Sequence, residues 1–125
     1  MDLSLDRPGD YLFVRRAGAR SVTVVDREFT RSLVLSPERL VEDWPVAHAG
    51  ELDAGHVDAI LELEPEVVIL GTGERQIFPA AAFMAGFLRR GVGVEVMDNA
   101  AAARTYDLLA GENRRVVVAF ILSAS

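Results

Sequence analysis

The stretch Val67-Val68-Ile69-Leu70-Gly71-Thr72-Gly73 decides how this chain is read. Four consecutive apolar residues, three of them β-branched, stand between Pro65 and a pair of glycines. A run this short with turn residues at both ends is the pattern of a strand buried on both faces.

Reading upstream, Asp53 is placed to cap a helix whose apolar stripe is Val57, Ile60 and Leu61, with Leu52 as a staple to Val57 and Pro65 as the stop. Reading downstream, the spacing predicts a helix from near Pro79 to Arg90. Ile77, Ala81, Met84 and Leu88 share one face of it and Phe83 and Phe87 lie beside them, so substantial burial is expected. Arg89 and Arg90 suit the negative end of the helix dipole, and Gly91 can take a left-handed C-terminal conformation. Val92, Val94 and Val96 form the next strand, Asn99 caps a third helix carrying Ala103, Tyr106 and Ala110, Gly111 ends it, and Val116 to Leu122 is the last strand. Strand, helix, strand, helix, strand with crossover-length connections implies an α/β core.

The N-terminal part differs. From Tyr11 to Leu35 polar residues alternate with Tyr11, Phe13, Val22 and Val24, which predicts a small antiparallel meander with turns at Ala17-Gly18-Ala19 and Asp26-Arg27-Glu28. Pro37 and Pro45 allow only a short element over Glu38 to Trp44. With no repeat, linker or low-complexity segment, residues 1–125 read as one domain with a β-rich N-terminal layer.

The chain has 125 residues, 50% hydrophobic and 26% charged, which excludes fibrous and disordered classes. No apolar run approaches the roughly 20 residues of a spanning helix, and no secretory signal is visible, so a cytoplasmic location without a membrane span is expected. The absence of cysteine excludes disulfides, iron–sulfur centres, thiolate zinc sites and a cysteine nucleophile. A formal charge of −6 argues against a generic nucleic-acid or anionic-membrane binder. All 13 basic residues are arginine, a composition suited to carboxylate or phosphate recognition or produced by genomic base composition. Glu38, Glu42, Asp43, Glu51, Asp53, Asp58, Glu62, Glu64 and Glu66 have only Arg39 within their stretch, so this segment is expected to be a negative surface, either solvated or a docking patch for a basic partner.

The candidate ligand-binding residues are Gly71, Thr72, Gly73, Arg75, Asp98 and Asn99. Gly71 to Arg75 follows a strand and precedes a helix, where backbone N–H groups can receive an anion, although Gln76 breaks G-x-G-x-x-G and no Gly-Lys-Ser/Thr follows. If the strands ending at Leu70 and Met97 are parallel neighbours, this loop and Asp98-Asn99 share the sheet edge where ligands bind. The competing reading is local: two glycines permit tight helix packing, Asn99 caps a helix and Asp98 favours its positive end. His48 and His56 do not have metal-ligand spacing, no serine sits in a G-x-S-x-G elbow, and no catalytic constellation, metal or cofactor is expected. Glu95 interrupts an apolar strand and is expected either to reach solvent at an edge or to pair with Arg104, Arg114 or Arg115.

With these residues placed, the segments Val68-Ile69-Leu70-Gly71-Thr72-Gly73, Pro79, Val94-Glu95-Val96-Met97-Asp98-Asn99, Ala102-Ala103-Arg104-Thr105-Tyr106-Asp107 and Arg115-Val116-Val117-Val118-Ala119 resemble, in order, the small bacterial relatives of mitochondrial complex I assembly factor 3. The match covers about Pro65 to Leu122. Departures are Asn99, where relatives commonly carry Thr, and Ala103 and Asp107, where they often carry Cys and Asn. The resemblance implies a three-layer fold with a central mixed β-sheet, helices on one side and strands plus a helix on the other. It also implies an assembly or accessory role in the mitochondrial relatives and carries over no catalytic residue, so a non-enzymatic accessory protein that binds a protein partner and assists assembly of a respiratory membrane complex is expected. The alternative is a small-molecule or anion-binding domain, enzymatic or not, at the strand ends.

Overall fold

The structure, a computed structural model, describes residues 11–123. Strands β1 (Val14–Ala17), β2 (Val22–Val24) and β3 (Arg27–Phe29) form an antiparallel sheet in that order, which is the expected meander. Its second turn is tighter than the sequence suggested. Val24 pairs with Arg27, so Arg27 and Glu28 belong to β3 and only Val25-Asp26 make the loop. A two-residue hairpin loop favours positive φ, and Val25 supplies it at 57° despite its β-branch. Its N–H donates to Phe13 O at 2.9 Å and its carbonyl accepts Arg15 Nε at 2.7 Å, which hold it there.

The chain then builds a second sheet from β4 (Leu33–Leu35), β5 (Leu40–Val41), β6 (Val67–Gly71), β7 (Gly93–Met97) and β8 (Val116–Phe120) in the order β5-β4-β8-β6-β7. β6 lies parallel to both β7 and β8, whereas β4 is antiparallel to β5 and β8, so the sheet is mixed. The deciding strand therefore has neighbours on both sides, and Val68, Ile69 and Leu70 are inaccessible to solvent (0% each).

Side-chain alternation along β4, β6 and β8 divides the interior into two cores. Leu33, Leu35, Ile69, Val116, Val118 and Phe120 face the meander and the helix α3 described below. Val34, Val68, Leu70, Val117 and Ala119 face the opposite layer. That layer holds two 3-10 turns (Ala49–Glu51 and Ala54–His56), α1 (Asp58–Leu61) and α2 (Ala81–Leu88). Three layers around a mixed sheet result, with helices on one side and strands plus α3 (Asn99–Gly111) on the other.

Several local expectations need correction. Asp53 does cap, its Oδ1 accepting Gly55 N–H at 2.8 Å, but the helix it starts is one 3-10 turn followed by a single α-turn. α2 is shorter than 79–90 and is rotated about its axis. Phe83, Gly86 and Phe87 are buried, while Ile77, Ala81 and Leu88 are exposed. The two Phe rings pack edge to face at 5.1 Å, and Gly86 lets Val57 approach so closely that a Cβ there would sit 2.7 Å from Val57 Cγ2. Gly91 adopts the expected left-handed conformation, φ 71°. Asp98, not Asn99, caps α3, its Oδ1 accepting Ala101 N–H at 2.8 Å. Glu95 is exposed on β7, the edge strand, so the solvent branch of its expectation holds.

The acidic segment is less negative than its sequence implies, because arginines outside it come to meet it. Arg27 reaches Glu42 at 3.4 Å, Arg31 reaches Asp43 at 3.7 Å and Arg114 reaches Glu66 at 3.2 Å. Glu51 turns its carboxylate onto the N–H groups of Ala47 and His48, both at 2.9 Å.

Candidate functional site

The parallel pairing of β6 with β7 brings the Gly71 loop and Asp98-Asn99 to one sheet edge, as the crossover reading requires. The two ends are laced together by backbone bonds: Thr72 N–H to Met97 O at 3.0 Å, Asn99 N–H to Gly73 O at 2.8 Å, and Ile121 N–H to Gly71 O at 2.9 Å. At the centre is Asn99, fully buried (0%). Its Oδ1 accepts Gly73 N–H at 3.0 Å, and its Nδ2 donates to Gly18 O at 2.8 Å and Ile121 O at 3.0 Å. One side chain thus ties the end of β6, the first hairpin and the exit of β8 to the start of α3. Gly71 leaves the room this requires, since a Cβ there would collide with Asn99 Oδ1 and crowd Phe120 and Ala102.

Thr72, also buried, is satisfied in the same internal manner. Its Oγ1 donates to Arg75 O at 2.5 Å and accepts Ile77 N–H at 3.0 Å, closing the loop on itself. Gly73 has φ 102°, a conformation open to glycine and strained for other residues. Asp98 is committed to Ala101 N–H, and the Arg75 side chain is exposed. Gly71, Thr72, Gly73, Asp98 and Asn99 are therefore brought together, and Arg75 joins them only through its carbonyl. A cleft of about 270 Å³ adjoins this corner, lined by Thr72 and Gly73 with His48, Gly50, Glu74 and Ser123 among others.

A larger cleft, about 390 Å³, lies at the other end of the strands and draws on Tyr11, Ser36, Glu38, Asn113, Arg114 and Arg115. Sequence reasoning missed it because its residues come from separated segments and carry no motif. Its charges are partly spent: Glu66 accepts Arg115 N–H at 2.9 Å and Arg114 Nε at 3.2 Å, which hold its carboxyl below the usual range. Nearby, Tyr106 donates to Leu12 O at 2.6 Å, and burial pushes its phenol well above the ordinary value. Asp107 accepts Val14 N–H at 2.8 Å; its partial burial raises the carboxyl, and the Val14 bond opposes the rise. These contacts fasten α3 to β1 and the segment before it.

Three layers, a mixed five-stranded sheet and the short antiparallel sheet define the class. The architecture is that of a Bordetella pertussis protein described as a Mth938-like domain, 30% identical, TM-score 0.81, covering 100% of this chain and 94% of that one. A Xanthomonas campestris protein solved by NMR is 47% identical with TM-score 0.82, covering 96% and 92%. Residues 14–121 match the family described as protein of unknown function (DUF498/DUF598), and the chain belongs to that family. It is also 33% identical over 90 residues to NADH dehydrogenase [ubiquinone] 1 alpha subcomplex assembly factor 3 of Danio rerio, covering 70% of this chain and 51% of the relative. The resemblance read from the sequence is thus established, and the chain spans about half the length of that assembly factor. Among the described residues, no helix is long and apolar enough to cross a membrane.

Proposed function

We propose that this protein is a cytoplasmic, non-enzymatic accessory protein that binds a protein partner and assists assembly of a respiratory membrane complex. The observation that carries this reading is the homology to a complex I assembly factor over 90 residues. The chemistry of that corner supports it. The amide of Asn99 and the hydroxyl of Thr72 are already engaged with the chain itself, and the Gly73 N–H that could hold an anion is donated to Asn99. Such a knot fixes the relation of hairpin, sheet and helix, which is what a docking scaffold needs. The test is deletion of the gene in its native organism followed by native-gel measurement of respiratory complexes. The reading expects a loss of assembled complex restored by the intact chain; unchanged assembly overturns it.

The alternative is a small-molecule or anion site at the 270 Å³ cleft beside Thr72 and Gly73, which is concave and sits at the C-terminal strand edge. Thermal-shift screening discriminates it. A ligand at about 100 times its dissociation constant stabilises by roughly 2.7 kcal/mol.

A further inference from the structure

α2 is apolar on both faces. From Ile77 to Leu88 the sequence holds no polar side chain, and the fold uses only half of what it supplies. Phe83, Gly86 and Phe87 face the sheet. Ala81, Ala85 and Leu88 recur at helical spacing on the other side, where Ala81 and Leu88 are exposed and Ala85 half-buried, while Met84 lies at the flank and packs against the core. Phe78 precedes this ridge with 70% of its surface exposed, Ile77 with 48%, and Leu88 closes it at 68%. A helix apolar all round belongs inside something, and none of the described residues covers its outer side.

Local charge separates this face from the rest of an acidic protein. Residues 75–94 contain Arg75, Arg89 and Arg90, all exposed, and no acid. Glu95 does not intrude, because Val94 and Val96 belong to the core under α2 and alternation sends Glu95 to the opposite face of the sheet. Glu74, exposed beside Arg75, offsets that arginine, so the cationic end of the ridge is Arg89-Arg90; Asp53 and Asp58 lie to either side of Val57, which packs against the inner side of α2 at Gly86. The overall charge of −6 therefore does not describe what this ridge presents.

We propose that the outer ridge of α2, with Ile77 and Phe78 before it and Arg89 and Arg90 after it, seats the protein peripherally on an anionic phospholipid surface. Charge complementarity selects this occupant: the arginines can pair with phosphate headgroups while their stems and the apolar ridge enter the acyl boundary. An uncharged stretch of this length is too short to span and suits an interfacial segment. A specific protein interface carries on the order of ten hydrogen bonds, and from Ile77 to Leu88 the ridge has no polar side chain to make one, leaving only the flanking arginines; Gln76 at its margin is tied to Val96 O at 2.8 Å. The inference goes beyond the partner reading and does not depend on it.

Co-sedimentation of the full chain with phosphatidylglycerol–phosphatidylethanolamine vesicles, compared with phosphatidylcholine vesicles, tests it. Binding is expected to the anionic vesicles alone. The pair Phe78→Ser with Leu88→Ser and the pair Arg89→Glu with Arg90→Glu should each weaken it by about tenfold or more, and Leu108→Ser, an exposed apolar site on α3, should leave it unchanged. Native emission from the single, buried Trp44 shows that each variant is folded. No sedimentation, or binding indifferent to the ridge variants, overturns the proposal. So does sedimentation velocity showing a dimer that the Phe78→Ser/Leu88→Ser pair dissociates, which would make the ridge a self-interface.

Discussion

α2 and α3 pack on opposite faces of the same sheet, and they meet solvent in opposite ways. α3 begins with an aspartate cap, buries Asn99, Ala102, Ala103, Tyr106 and Ala110, and turns Arg104 outward with Leu108. α2 has no side-chain cap, and its outward side is almost as apolar as its inward one. The demands of folding account for α3 apart from the exposed Leu108. Among the described residues they account for only the inner half of α2, so its outer half needs a reason beyond those residues.

Substitutions on the two helices sharpen that contrast. Phe83→Ala should have the largest effect, because it removes a fully buried ring that packs edge to face on Phe87; a loss of about 4 kcal/mol in urea unfolding is expected. Asn99→Ala should follow at about 3 kcal/mol, since it leaves Gly73 N–H and the Gly18 and Ile121 carbonyls without this partner at the start of α3. A loss as small as that of an exposed residue would show that the corner does not organise the fold. Gly86→Ala should cost about 2 kcal/mol by forcing Val57 away from α2, and shortening the partner with Val57→Ala in the same chain should recover part of the Gly86 penalty.

Asp107→Asn should have the smallest effect and the opposite sign. Burial raises this carboxyl above its ordinary value of 3.8, so between the unfolded and folded values the native state binds more protons. Its contribution to stability therefore falls as pH rises through that window. Asparagine keeps an acceptor for Val14 N–H and carries no charge. Above the window the variant should gain stability, by at most about 0.5 kcal/mol given the solvent screening of a half-buried group, and below it the gain should vanish. Urea midpoints on both sides of the window check the sign.

What the sequence revealed follows from where each signal lies. Val67 to Leu70 was legible because an apolar run between Pro65 and Gly71 is a local pattern, and Gly91 because a helix end asks for a left-handed residue. The meeting of the Gly71 loop with Asp98-Asn99 is legible for the same reason, given parallel pairing of the two strands. The face of α2 was not, since Ile77, Met84, Phe83 and Phe87 are all apolar and periodicity cannot orient a helix that lacks a polar side. Asp98 and Asn99 are adjacent residues that both favour caps, and only tertiary structure shows that one caps while the other is buried. The larger cleft and the pairs Arg27–Glu42 and Arg114–Glu66 join distant segments, which composition within any one stretch does not register.

The contrast between the helices is tested most directly by hydrogen–deuterium exchange on the full chain with and without anionic phosphatidylglycerol vesicles. The account predicts added protection over residues 76–90 and none over α3, whose outward face already suits water. Protection spread equally over both helices, or absent from 76–90, would contradict the claim that the outer side of α2 meets a surface beyond the chain.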